Sequence, residues 1–114
     1  MKKKTSITEL EKVAGNDKAL LKELISKFIS QTEAQLELLK KNKTSFEANE
    51  VKIVAHKMKS PFHYFGMHEQ KLLAQKIEDS AQNDFELTKL MIDEIVSSCS
   101  MAMEELKETL NSIK

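Results

Sequence analysis

The segment Val51-Lys52-Ile53-Val54-Ala55-His56-Lys57-Met58-Lys59-Ser60-Pro61-Phe62-His63-Tyr64-Phe65 decides how the chain folds. Val51, Val54, Ala55, Met58, Phe62 and Phe65 recur at helical spacing and form one apolar face. At about 100° per residue, His56 falls on the side opposite Met58. Asn49, Lys52, Lys59, Ser60 and His63 share the His56 face. The stretch therefore predicts a helix that buries one stripe and shows an imidazole to water among ammonium groups.

Upstream, Ser6-Ile7-Thr8-Glu9 has the spacing of a capping box, which predicts a short helix with Ile7, Leu10 and Val13 apolar. Gly15 is placed to end it in the left-handed conformation. Asn16 or Asp17 can cap the next helix. There Leu21, Leu24, Ile25, Phe28, Leu36 and Leu39 carry the helical period to about Lys41, with a polar gap at Thr32 and Gln35. Asn42-Lys43-Thr44 is a compact link, and Thr44 with Glu47 offers a second capping box.

Downstream, Gly66 breaks or turns the chain, and residues 67–82 read as a helix with Leu73, Ala74, Ile77 and Ala81 inward. Asn83-Asp84 caps a last helix, where Ile92, Val96, Cys99, Met103, Leu106, Leu110 and Ile113 alternate four- and three-residue steps. That is the strongest periodic signal in the chain. One short and four longer helices with short links predict an all-α fold, an antiparallel four-helix bundle with a short additional N-terminal helix. A single domain is expected over residues 1–114, with residues 1–4 frayed.

Composition agrees. Two Gly and one Pro leave little turn chemistry, and 40% apolar residues suffice for one core. Eighteen basic residues balance eighteen acidic ones, and every basic residue is Lys, so nothing favours a nucleic-acid or membrane-surface partner. Cys99 is the only cysteine, which excludes an internal disulfide and fits a reducing compartment. No apolar run approaches the ~18 residues of a membrane span, and no apolar stretch follows the lysines near the N-terminus. A cytoplasmic protein is expected.

A neutral imidazole is a competent nucleophile near neutral pH. The ammonium groups of Lys57 and Lys59 are expected to disfavour imidazolium and to stabilise an attached phosphoryl group. Ser60, one turn on, is small enough to let another surface approach the ring. Pro61 removes the hydrogen-bond partner of the Lys57 carbonyl and predicts a kink just past the site, which leaves the alignment of His63 with His56 open. His63, His68 and Glu69 match no compact zinc signature, so no metal site is expected. Tyr64 or Phe62, if exposed, would suit a partner-docking patch.

The run His56-Lys57-Met58-Lys59-Ser60, with Gly66 ten residues after the histidine, resembles the signature of histidine-containing phosphotransfer (HPt) domains. Gly15-Asn16-Asp17 resembles the turn that opens the family's first long helix, and Leu73 with Ile77-Glu78 resembles its following stretch. The resemblance implies a phosphocarrier without its own ATP site, in which His56 takes a phosphoryl group from a receiver-domain aspartate and passes it to another. It makes Lys59 the electrostatic partner of that group, with Lys57 secondary. Ser60 stands where the family most often has Gly, and Gly66 is implied to allow close helix packing. Glu78 is implied either to accept a hydrogen bond from the proximal ring nitrogen or to cap the bundle surface.

Asn49, Lys52 and His63 are then expected to help dock the partner. Partners would be receiver domains, with a hybrid histidine kinase as a further candidate. The chain needs no cofactor of its own, the Mg²⁺ being expected on the receiver, and is expected to be a monomer. Two other readings compete: a helical adaptor that is never phosphorylated, and a bundle that self-associates through its last helix.

Overall fold

Two aspartates start the two longest helices. Asp17 Oδ1 accepts the Leu20 amide at 2.9 Å and Asp84 Oδ1 accepts the Leu87 amide at 3.0 Å, each satisfying an amide that the first turn leaves without a partner. The computed structural model describes residues 4–113, and among these there are five helices and no strand. They are α1 (Thr8–Ala14), α2 (Lys18–Lys41), α3 (Ala48–Tyr64), α4 (His68–Ser80) and α5 (Phe85–Ser112). α2 packs on α3 and α5, and α4 packs on the same two, closing a ring of four to which α1 adds against α2. The links between successive bundle helices are short, so neighbours run antiparallel. The result is an all-α antiparallel bundle measuring 45 × 23 × 22 Å.

The stripe of α3 is buried as its period predicts: Val51, Val54, Ala55, Met58, Phe62 and Phe65 all lie in the core. Phe28 of α2 stacks on Phe65 with centroids 3.9 Å apart and meets Phe62 edge-on at 6.3 Å, joining α2 to the end of α3. On α5, Ile92, Cys99, Met103 and Leu106 are buried, but Val96, Leu110 and Ile113 are only half-buried, while Ile95 and Ala102 turn fully inward. This helix touches both α2 and α4, so its buried sector is wider than a narrow heptad seam. Most of the α5 stripe is thus spent in the bundle's own core. In α2 the polar gap is not a gap: Thr32 and Ile29 are both buried.

The two capping boxes do not form. α1 starts after Ile7, and Ser6 Oγ accepts the Thr8 amide at 3.3 Å, not the Glu9 amide. Val13 is 62% exposed and Ala14 takes its inward place, because a helix starting at Thr8 directs Leu10 and Ala14 at α2. Gly15 has positive φ as expected, but its ψ of −129° lies outside the left-handed helical region, in territory that glycine alone visits readily. At the start of α3 the capping position is Glu47, and Thr44 Oγ1 instead donates to the Lys41 carbonyl. The work assigned to Thr44 falls to Asn42, which is 1% exposed. Its Oδ1 accepts the Glu47 amide at 2.7 Å, and its Nδ2 donates to Leu38 O at 2.9 Å and to Glu50 Oε1 at 2.8 Å. One buried side chain thus joins the end of α2 to the start of α3.

α3 runs through Pro61 to Tyr64 and ends in a Schellman arrangement. The Met67 amide donates to Phe62 O at 2.9 Å, the Gly66 amide donates to His63 O at 3.2 Å, and Gly66 has φ +67°. Met67 and Phe62, both fully buried, supply the apolar contact of that motif. The close approach at Gly66 is not to a helix: a Cβ there would lie 2.8 Å from Ser6 Cβ. The N-terminal segment is strapped down beside it. The Ser6 amide donates to Phe65 O at 2.9 Å, the Lys4 and Thr5 amides donate to the Glu105 carboxylate at 3.0 and 2.8 Å, and the Thr5 hydroxyl donates to it as well. Lys4 is therefore held rather than frayed. Residues 1–3, also expected to be frayed, lie outside the described residues.

Candidate functional site

His56 stands on the outer face of α3 with its side chain 66% exposed, as helical phase requires. Its Nδ1 lies 3.1 Å from Glu78 Oε2 on α4. α4 can reach it because Ala74, Ile77 and Ala81 pin the opposite face of that helix in the core. Glu78 is half-buried, and its other oxygen lies 2.6 Å from Lys59 Nζ. That contact is an ion pair, whereas the aligned hydrogen bond from Lys59 Nζ goes to Gln75 Oε1 at 2.7 Å. Gln75 Nε2 in turn donates to Asp79 Oδ1 at 2.9 Å. The carboxyl of Glu78 is held below its ordinary value of 4.5, foremost by the Lys59 ammonium, with His56 adding to it against the opposing effect of burial.

An ionised carboxylate only accepts hydrogen bonds. The hydrogen shared with Glu78 therefore sits on Nδ1, and in a neutral ring that leaves the lone pair on Nε2. An exposed nucleophilic nitrogen with its tautomer set from behind is what the arrangement provides. Of the alternatives for Glu78, the contact with the proximal nitrogen is the one formed.

Lys59 differs from its sequence reading. It does not extend from the His56 face as an exposed ammonium, since its side chain is only 18% exposed and is turned toward α4. The cause is the half-buried Glu78 carboxylate, which a lysine one turn past His56 can reach along the α3–α4 seam. Lys57 and Lys52 are exposed on α3, as is Ser60. Asn49 is exposed, and its Oδ1 accepts the Gln82 side-chain amide at 2.6 Å. His63 is exposed two turns beyond His56, roughly 10 Å along the axis. Its ring meets His68 at 5.9 Å and Tyr64 at 5.5 Å, and it borders a depression with Ser6, Glu9 and Gly66. Gly66 itself belongs to that turn and strap. Among the described residues no three His, Cys, Asp or Glu side chains converge as metal ligands. Cys99 is buried in the core, and burial pushes its thiol up to about 12.

A family model for the Hpt domain matches residues 23–114, from within α2 to the end of the chain. The chain belongs to the Hpt domain family. No curated protein and no solved structure matches it individually at significance. Hpt domains carry phosphoryl groups on histidine in two-component phosphorelays, are not enzymes with an ATP site of their own, and interact with receiver domains and histidine kinases. The match begins after α1, so the N-terminal strap and α1 lie outside the matched part.

Sequence reasoning missed Gln75, Asp79 and Ile53. Gln75 lies one turn before Glu78 on the polar side of α4, and that pairing was the available signal. Ile53 is 54% exposed on α3, close to His56 in helical phase, and was legible as the one large aliphatic residue of α3 outside its stripe. Of the two aromatics considered for docking, Tyr64 is 44% exposed and Phe62 is buried.

The lowered Glu78 carboxyl has a consequence for stability. A depressed folded-state value adds stability that is complete above the ordinary 4.5 and is lost as pH falls through the lower folded value. Glu78→Gln is expected to flatten the acid limb of the urea midpoint measured against pH in that window. An acid limb identical to that of the unsubstituted chain would remove this contribution.

Proposed function

We propose that His56 is the phosphoryl-accepting residue of this Hpt domain, acting through Nε2. The reading is carried by one observation: the His56 ring is mostly exposed while its Nδ1 is engaged by Glu78, which leaves Nε2 as the uncommitted nitrogen. The Nε2 lone pair attacks the phosphorus of a receiver's aspartyl phosphate in line. The bond from phosphorus to the aspartate oxygen breaks, and the electron pair leaves with that carboxylate. Nδ1 keeps its hydrogen, so the product is a phosphoimidazolium whose positive charge faces the Glu78 carboxylate. In the reverse sense a second receiver's aspartate attacks the same phosphorus and the neutral ring departs. No proton has to move in either direction.

The receiver brings Mg²⁺ and its own lysine, since phosphoryl transfer rests on positioning and charge neutralisation. This chain supplies the nucleophile and nearby positive charge from Lys57, with Lys59 available if it swings from Glu78 to the phosphoryl group. Asn49, Lys52, Ser60 and His63 form the docking face together with exposed Ile53 and Tyr64. Such a face suits a modest, transient interface, in which the lysines speed encounter more than they tighten binding. The carrier works as a cytoplasmic monomer. No helix among the described residues is long and apolar enough to cross a membrane.

Incubation with a phosphorylated receiver is expected to label the chain with phosphate that is acid-labile and base-stable, and ³¹P NMR should place it on the distal ring nitrogen. Acid-stable label would overturn the proposal. Lys59→Ala is expected to slow transfer roughly tenfold, the loss of about one charge interaction in the transition state. A rate equal to that of the unsubstituted chain in rapid-quench measurements would confine Lys59 to holding Glu78.

A further inference from the structure

α4 has two lateral edges. One presents Gln75 and Glu78 to α3 and so serves His56. The other faces α5 across a groove made of two depressions, of about 590 and 440 Å³, which share Leu73, Lys76 and Glu94 and so run into each other. Half-buried Leu73 and Met91 form the floor, while Leu72 and Leu87 are 65% and 45% exposed on the rims. Along α5 the groove reaches from Asp84 to Ser98, about 21 Å at the helical rise, room for roughly four turns of helix. The core stripes of α4 and α5 are spent inside the bundle, with Leu73 and Met91 packed at their edge, and Leu72 and Leu87 are not part of them. Exposed leucines at the two ends of an apolar floor mark an interaction surface.

Charge chooses the occupant. Glu69, Asp79, Asp84 and Glu94 line the groove against the single ammonium of Lys76. The His56 face is the reverse, with Lys52 and Lys57 exposed. A second copy docked symmetrically would set these carboxylates against their own equivalents, which disfavours a two-fold contact. We infer that the α4–α5 groove is a docking site for an amphipathic helix of a partner protein, apolar on one side and rich in lysine or arginine on its flanks. Apolar anchors at one-turn spacing lie along the floor of Leu73 and Met91, from Leu72 at one end to Leu87 at the other, and the flanking cations meet the acidic rims. The groove lies across α4 from His56, about one helix diameter away, so it can be occupied while a receiver engages the histidine.

The probe is a fluorescein-labelled 14-residue peptide, about the groove's length, with leucines along one helical face and lysines elsewhere. Its counterpart carries glutamates in place of the lysines. Anisotropy with the full chain is expected to show saturable binding of the lysine peptide and none of the glutamate peptide. The double variant Leu72→Ser/Leu87→Ser, altered only at exposed positions, is expected to weaken binding at least about tenfold, and Glu94→Lys several-fold. Amide shifts on binding should fall on α4 and α5, and transfer to His56 should proceed with the peptide bound. Equal binding by the chain and the double variant would overturn the inference, as would no saturation up to millimolar peptide. So would sedimentation of the unsubstituted chain as a dimer that the double variant abolishes, since the occupant would then be a second copy.

Discussion

His56→Gln is expected to lower phosphoryl acceptance from a receiver by on the order of a thousandfold or more, because it removes the group proposed to form the new bond. Stability should stay within about 0.5 kcal/mol, since the ring is mostly in water and lies outside the core. The loss is confined to its hydrogen bond with Glu78, and Glu78 keeps Lys59 as its partner. The measurement pairs label uptake with urea unfolding followed by circular dichroism. Uptake by a folded His56→Gln chain at the rate of the unsubstituted one would transfer the role elsewhere. His63 and His68, the remaining histidines, would then have to be replaced in turn.

Asn42→Leu is expected to cost about 3 kcal/mol, the largest effect on stability among these substitutions. Leucine matches the volume but makes none of the bonds to Leu38, Glu47 and Glu50. The Glu47 amide, at the start of α3, loses its acceptor, and an unsatisfied buried donor costs about 1–3 kcal/mol by itself. At this chain length the thermal midpoint should fall by roughly 10–20 °C. Thr44→Ala is the control, because its hydroxyl bond to Lys41 is long and exposed; it should shift stability by no more than about 0.5 kcal/mol. Comparable losses in the two variants would mean that the α2–α3 link is not organised around Asn42.

Stripes were legible because side-chain direction along a helix follows from backbone geometry alone. The apolar period of α3 placed six residues inside and His56 outside, and both placements hold. The caps of α2 and α5 were legible as the pairs Asn16-Asp17 and Asn83-Asp84, because a capping side chain acts on an amide three residues ahead, and in each pair the aspartate takes the role. The capping boxes at Ser6 and Thr44 had the right spacing and failed. Ser6 is held by Phe65 O, and Asn42 claims the Glu47 amide, so tertiary bonds outcompeted local ones. Nothing near Thr5 in sequence announces Glu105, one hundred residues away.

The candidate site divides in the same way. Helical phase along α3 put His56 in water, and it set Lys59 one turn beyond, within reach of a neighbouring helix. Which helix that would be depends on the order of packing around the core. Only the docking of α4 beside α3 set Glu78 against the ring nitrogen and drew Lys59 out of solvent to pair with it. Exposure of the imidazole is thus a property of one helix and was written in the sequence from Val51 to Phe65. Its tautomer and the engagement of Lys59 are properties of two helices, because a hydrogen bond across a seam exists only when apolar packing brings both sides within about 3 Å.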